Sequence, residues 1–430
     1  MKTFLQPLQN LAEMEEIQKQ AKKNCGILEI SGCMESQKAH LMYGLSGLFP
    51  CHLVIAADEK SAKELYEDYR FYDKRVYYYP AKDLLFFQAD IHGNLLIRQR
   101  MQVIRALLER EDEITVVTSI DGCMDYLAPL EKIEKQLIHF RNDSTLDMDK
   151  LTAALVHMGY ERVGQVEMPG QFSIRGGIID IYSLTEENPW RIELWGDEID
   201  SIRSFDAQSQ RSLENLDDVT IYPAAEQPME KNGVSFLDYF KETETLFFLD
   251  ELNHLEENAK AVQEEFQQSC ENRKEKGEIS LSGDWMCTWE ELCHKINDRN
   301  CVAMSLLDPK KSNWKISGQF NITVKSMSSY QSSFELLVKD LKQYKKEGYQ
   351  IVLLSGSRTR AERLAKDLQE EGLNAFYGQD SDRILQPGEI MVAYGHARRG
   401  FEYPLVKFAV ITETDIFGKE QKKRKKKKEY

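Results

Sequence analysis

Nothing in this 430-residue chain approaches the roughly 18 consecutive apolar residues of a membrane-spanning helix. The opening Met1-Lys2-Thr3-Phe4-Leu5-Gln6-Pro7 also has no signal-peptide core, so a membrane location is disfavoured and a cytoplasmic one expected. No C-x-x-C pair occurs among the eight cysteines. Cys287, Cys293, His294 and Cys301 are the one grouping with metal-ligand chemistry, set against the ordinary reading of scattered reduced thiols. Positive charge is scarce as well: 56 Lys and Arg face 71 Asp and Glu, a net charge of −15. The run Lys419 to Lys428 holds eight of those positive charges and one negative, which leaves −22 for everything else. So acidic a body argues against sequence-independent DNA binding, which needs clustered Lys and Arg to neutralise phosphates. The basic run itself reads as a solvated helical linker at 417-430, because like charges at helical spacing repel and gain nothing from packing.

A further absence sits inside a motif. After the apolar run Gly26-Ile27-Leu28-Glu29-Ile30 comes Gly32-Cys33-Met34-Glu35-Ser36-Gln37-Lys38-Ala39, which aligns with the phosphate loop G-x-x-x-x-G-K-[ST]. Gly32 and Lys38 are in place. Gln37 replaces the glycine that lets backbone N–H groups close on phosphate, and Ala39 replaces the hydroxyl that holds magnesium. Glu35 adds like charge where an anion should be favoured. Lys38 alone is a point charge without a cradle, so the loop is expected neither to bind ATP tightly nor to hydrolyse it. Leu246-Phe247-Phe248-Leu249-Asp250-Glu251 has the form of the strand whose acids hold magnesium in such hydrolases. Without a competent loop, Asp250 and Glu251 read as a relic or as an acidic pair at a helix start.

Periodicity divides the chain into α/β stretches with a different module between them. Residues 1-123 alternate apolar strands (26-30, 53-57, 114-118) with helical stretches such as 95-108, the pattern of a parallel sheet. The aromatic cluster Tyr77-Tyr78-Tyr79 and Phe86-Phe87 reads as packing more readily than as a base-stacking platform, since basic neighbours are missing. In 124-207 a short helix ends at Gly159 and the period then drops to two. Gln171 to Arg175 and Trp190 to Trp195 alternate apolar and polar residues, so Arg175, Arg191, Glu193 and Trp195 lie on the face opposite the core. That face has the composition of a protein-binding hot spot, with cross-strand salt pairing as the equal alternative. Residues 208-318 return to α/β. Residues 319-416 form a further small α/β domain with strands at 350-355, 389-393 and 408-412, and the turn Arg398-Arg399-Gly400-Phe401 reads as structural.

Taken together, the altered loop at 32-39, Gly159-Tyr160-Glu161-Arg162, Arg175 to Tyr182, the run Arg191 to Asp206 and the ending Ala409 to Gly418 resemble the bacterial transcription-repair coupling factors (Mfd). The resemblance covers essentially the whole chain; the stretches 190-206 and 409-418 are the specific ones. It implies a degenerate P-loop, RecA/UvrB-like parallel-sheet domain in two parts (1-123 and 208-318), an inserted α+β UvrA-binding module (124-207) and a small domain of no assigned activity. It implies a role in transcription-coupled nucleotide excision repair, with UvrA as partner. ATP, magnesium, DNA and RNA polymerase would be handled by modules beyond this chain, which stops where the family's polymerase-binding domain should begin. The UvrA-binding set carried over by motif is Arg162, Phe172, Arg175, Arg191, Glu193 and Trp195, with Ser173 where the UvrB pattern often has another arginine. The segment between Pro80 and Ile97 is too short and apolar for UvrB's aromatic damage-probing hairpin. The alternatives are an active UvrB-like ATPase and an internal segment that masks the UvrA-binding face.

Overall fold

A computed structural model describes residues 1–23, 26–82, 94–226, 233–276, 286–308, 313–378 and 382–418. Phe86, Phe87, most of the segment between Pro80 and Ile97, and the basic run from Lys419 onward lie outside the described residues. Two compact units form, each from stretches distant in sequence: 1–76 with 244–256 and 293–430, and 77–243 with 257–292.

The first unit holds two sheets. In one, five parallel strands run in the order Ile316–Asn321, Gly26–Ser31, Asn300–Ser305, Thr245–Asp250, Cys51–Ala56. Gly26–Ser31 and Thr245–Asp250 are buried at every position, which is why their sequences are continuous apolar runs and not alternating ones. Strands from residues 26–56 and from residues 245–321 thus interleave in one sheet. The second sheet has the order Lys325–Ser326, Phe401–Tyr403, Phe408–Thr412, Gln350–Ser355, Glu389–Tyr394, Asn374–Tyr377. Its four central and outer strands from Phe408–Thr412 to Asn374–Tyr377 are parallel. The helices Phe334–Glu347 and Arg358–Glu370 bury Leu337, Leu341, Ala361, Ala365 and Leu368 against it. The first of these helices stops at Gly348, whose φ of 79° only glycine adopts without strain.

The second unit carries the helix Asn94–Leu108, the strand Ile114–Ser119 and the module with period-two strands. Arg100 falls in the apolar stripe of that helix and is fully buried. It donates to Asp125 at 2.9 Å and Glu226 at 2.7 Å and lies over the Tyr79 ring, so its place in a hydrophobic row is compensated. Tyr79 stacks on Phe236 with ring centroids 3.8 Å apart, which makes it a packing residue.

In the module, six strands run Ser212–Leu216, Glu198–Phe205, Trp190–Trp195, Ile178–Ile181, Gln171–Arg175, Glu161–Arg162. All neighbours are antiparallel except the last pair. The helix Met148–His157 covers one face and is capped by Asp147, which accepts from the N–H groups of Asp149 and Lys150. It terminates at Gly159, where φ is +90° and a Cβ would lie 2.4 Å from that of Ala225. Phe172, Ile179, Ile181, Ile192, Ile199 and Ile202 meet this helix in one core. No helix among the described residues is long and apolar enough to cross a membrane.

Candidate functional site

The altered phosphate loop keeps its strand–turn–helix path in the first unit. Gly32 ends the strand at φ +81°, and a Cβ there would come within 2.1 Å of the Ile322 carbonyl oxygen, so glycine is required by backbone approach alone. The helix Glu35–Leu45 follows. Lys38 and Gln37 of this loop are both engaged by groups of the chain itself. The Lys38 ammonium, its side chain 8% exposed, donates to Asp250 Oδ1 and Glu251 Oε1, each at 2.6 Å. Burial works against that ammonium, but the two carboxylates outweigh it and push the Lys38 pKa up. Glu251 also accepts from the Leu306 N–H at 3.0 Å and holds a left-handed φ of 56°. The acids at the end of the Thr245–Asp250 strand therefore bind the loop's lysine.

Gln37, where a working loop has glycine, is fully buried and bridges two elements. Its Oε1 accepts from the Met34 N–H at 3.0 Å, and its Nε2 donates to the Tyr403 hydroxyl at 3.0 Å. The second ring nitrogen of His40 faces the Phe4 carbonyl at 2.8 Å and must carry a proton to bond it. His40 Nδ1 is then the acceptor for the Tyr403 hydroxyl at 3.0 Å. Each polar atom in the relay Gln37, Tyr403, His40, Phe4 has a partner. Burial pulls the His40 pKa down to about 4, with its bond to the Phe4 carbonyl opposing, so the imidazole is neutral.

The arginine-bearing turn closes over the same helix. Arg398 donates from its backbone N–H (2.9 Å) and Nε (3.1 Å) to the buried Asp68 carboxylate and from its guanidinium to Glu64 at 2.7 Å. Ser36 Oγ donates to Asp68 at 2.9 Å and accepts from the Arg399 N–H at 3.1 Å. Glu35 lies 3.7 Å from Arg399. These arginines meet carboxylates of their own chain, as a structural turn would. Among the described residues, no group of three or more His, Cys, Asp or Glu side chains is arranged to hold a metal.

In the second unit the polar face of the six-stranded sheet is organised around Asp180. Register places Ser173, Asp180, Arg191, Arg203 and Asn215 in one row across five strands. Asp180 is fully buried. It accepts from Arg191 Nε at 2.7 Å and Nη2 at 2.9 Å, and from Arg175 Nη2 at 2.7 Å. Arg191 also lies over the Phe205 ring at 4.4 Å. Glu193 pairs with Arg203 and accepts from Ser201.

Two expectations change. Phe172 is completely buried among the core residues and cannot present its ring to a partner, because the alternation of its strand points it inward with Ile174. Arg191 is on the outer face, yet it is mostly buried and spent on neutralising the buried Asp180 carboxylate, so it is not free to meet a partner. Trp195, 84% exposed, Arg162, and the half-exposed Arg175 are the accessible members of the set. Ser173 is buried and donates to the Gly164 carbonyl at 3.0 Å. Asp180, Tyr403, His40 and Asp68 were missed in the sequence, since each is defined by a partner far along the chain or on a neighbouring strand.

Two predictions follow from these networks. Lys38→Met strands two carboxylates and is expected to lower unfolding free energy in urea by about 3 to 5 kcal/mol, with most of it recovered when Asp250→Asn and Glu251→Gln are added. An unaltered urea midpoint for the single variant would contradict the pairing. A histidine held neutral by the fold stabilises fully above its unfolded pKa, so the His40 contribution is intact above 6.5 and declines as pH falls through about 4. Thermal midpoints of the unmodified protein should therefore fall over this interval more than those of His40→Gln; parallel profiles would refute the assignment.

Residues 138–226 match the family described as the UvrB interaction domain. The chain is similar to the transcription-repair-coupling factor of Bacillus subtilis (strain 168), with 29% identity over 93% of this chain and 40% of that protein. Those of Staphylococcus haemolyticus (strain JCSC1435) and Staphylococcus aureus (strain MRSA252) are 26% and 25% identical over 82% of this chain, and 34% and 35% of their own lengths. The chain spans two fifths or less of the relatives it matches. Residues 138–226 thus match the UvrB interaction domain, and over most of its length the chain is similar to the transcription-repair-coupling factors.

Proposed function

We propose that this chain serves transcription-coupled nucleotide excision repair by recruiting UvrA through the polar face of the sheet in residues 138–226. The observation that carries this reading is the placement of Trp195 and Arg175 on the accessible polar face of a matched UvrB interaction domain; Arg162, exposed but level with Phe172, is on the helix-covered side. Trp195 closes its strand beside the turn at Gly196 and offers a whole indole face, and aromatic and arginine side chains dominate protein-binding hot spots. Arg175 has one Nη committed to Asp180 and is half exposed, which leaves donors for a partner carboxylate. The buried Arg191–Asp180 pair holds the strand backbone beneath these groups and so supports the surface without itself being available to the partner.

The same reading assigns no ATP hydrolysis to the first unit. Lys38 is neutralised by Asp250 and Glu251, Gln37 occupies the glycine position with a buried side chain, and Ala39 has no oxygen for magnesium. ATP-driven displacement of stalled RNA polymerase, which the family resemblance implies, belongs to other modules.

Two measurements test the proposal. Trp195→Ala and Arg175→Ala should each weaken binding of the full chain to purified UvrA by about 30-fold, corresponding to about 2 kcal/mol per hot-spot residue, in titration calorimetry. Trp195→Ala should leave the thermal melt unchanged, and Arg175→Ala, which removes one of three donors to Asp180, should lower the midpoint only slightly because Arg191 keeps that carboxylate paired. If the folded double variant binds UvrA with undiminished affinity, the interface lies elsewhere. In phosphate-release assays the protein should show no magnesium-dependent ATP turnover above background. Turnover that vanishes in a Lys38→Arg variant with an unaltered melting midpoint would establish the active-ATPase alternative.

A further inference from the structure

The six-stranded sheet ends on one side in an open edge. Ser212–Leu216 pairs with Glu198–Phe205 and with no other strand among the described residues, and its first four residues are exposed. Such an edge offers a row of unpaired backbone donors and acceptors, the template on which an extended peptide adds as a further strand. Beside it runs a groove of about 510 Å³ whose walls carry Glu109, Glu186, Glu187, Glu214 and Asp218 against one cation, Arg105. That arginine is already committed, at 3.0 Å to Glu109 and in a second ion pair to Glu186. Glu187, Glu214 and Asp218 are exposed, leaving strong negative potential along the edge.

A second observation points independently to a ligand. Ser204 lines this groove opposite Trp190, is 5% exposed, and its hydroxyl has no hydrogen-bond partner among the described residues. A buried hydroxyl left unpaired carries a cost that an incoming polar group would relieve. The strand's alternation supplies the match in spacing. Glu214 and Leu216 line the groove whereas Leu213 and Asn215 do not, so a peptide paired along this edge would direct every second side chain toward the acids.

We propose that this edge and groove bind an extended peptide of a partner protein that carries Lys or Arg at alternate positions, taken up as a seventh strand. The groove lies on the side of the sheet that holds Trp190 and Ser204, whereas Arg191 and Trp195 occupy the opposite face, so the site is separate from the UvrA surface proposed above and does not rest on it. The probe is a dye-labelled peptide of alternating Lys and Thr, titrated with the full chain and read by fluorescence anisotropy. It should bind more tightly than a Glu-Thr counterpart and weaken with added salt. Its Kd should rise by about tenfold or more, a change of about 1.4 kcal/mol, in Glu214→Lys/Asp218→Lys and on backbone N-methylation of the peptide at alternate residues. Glu187→Gln/Asp218→Asn, milder in charge, gives the same test if the reversed variant fails to fold. Absence of binding, equal binding of the acidic peptide, or an affinity indifferent to these substitutions overturns the site. Undiminished binding of the N-methylated peptide overturns strand addition.

Discussion

The buried ion group of Lys38 with Asp250 and Glu251 ties together three segments of the first unit. A buried ammonium is tolerable only with close counter-charge, and the two acids that supply it come from the end of a strand more than two hundred residues away in sequence. That one contact joins the helix Glu35–Leu45 to the Thr245–Asp250 strand and, through Glu251, to the chain at Leu306. The parallel order of the five strands brings the three segments side by side, and the ion group locks them.

Around this centre the remaining positions of the loop have been put to structural use. Gln37, His40 and Tyr403 form a closed relay in which every polar atom is satisfied, the condition for a buried network to rigidify a fold. Ser36 and Asp68 hold the backbone and guanidinium of the Arg398 turn. The second sheet of this unit is thus fastened to the first through Ser36, Gln37 and His40 of the loop and its helix. Gly32 is required by backbone proximity to Ile322, and Lys38 is fixed by charge pairing.

The module in the second unit uses its own buried charge in a related way. Asp180 gathers Arg175 and Arg191 on the outer face of the sheet and leaves Trp195 uncovered at the strand end. Alternate faces of the same strands meet the helical core, and the sheet's far edge remains open beyond Ser212–Leu216.

Much of this was legible in the sequence. Continuous apolar runs identified the parallel strands, and period-two runs identified the antiparallel module and the outward placement of Arg175, Arg191 and Trp195, because burial of two faces or one leaves a direct mark on residue order. The replaced glycine and hydroxyl at Gln37 and Ala39 were likewise visible in the residue order itself. Pairing left no such mark. That Asp180 sits between two arginines depends on strand register; that Asp250 and Glu251 meet Lys38 depends on which parallel strands become neighbours. Whether an arginine at an outward position is free for a partner or spent on a buried carboxylate is an electrostatic question decided across strands. Local periodicity by itself determined the faces, and only the tertiary structure decided the partners, because opposite charges that are remote in sequence acquire their energy from proximity in space.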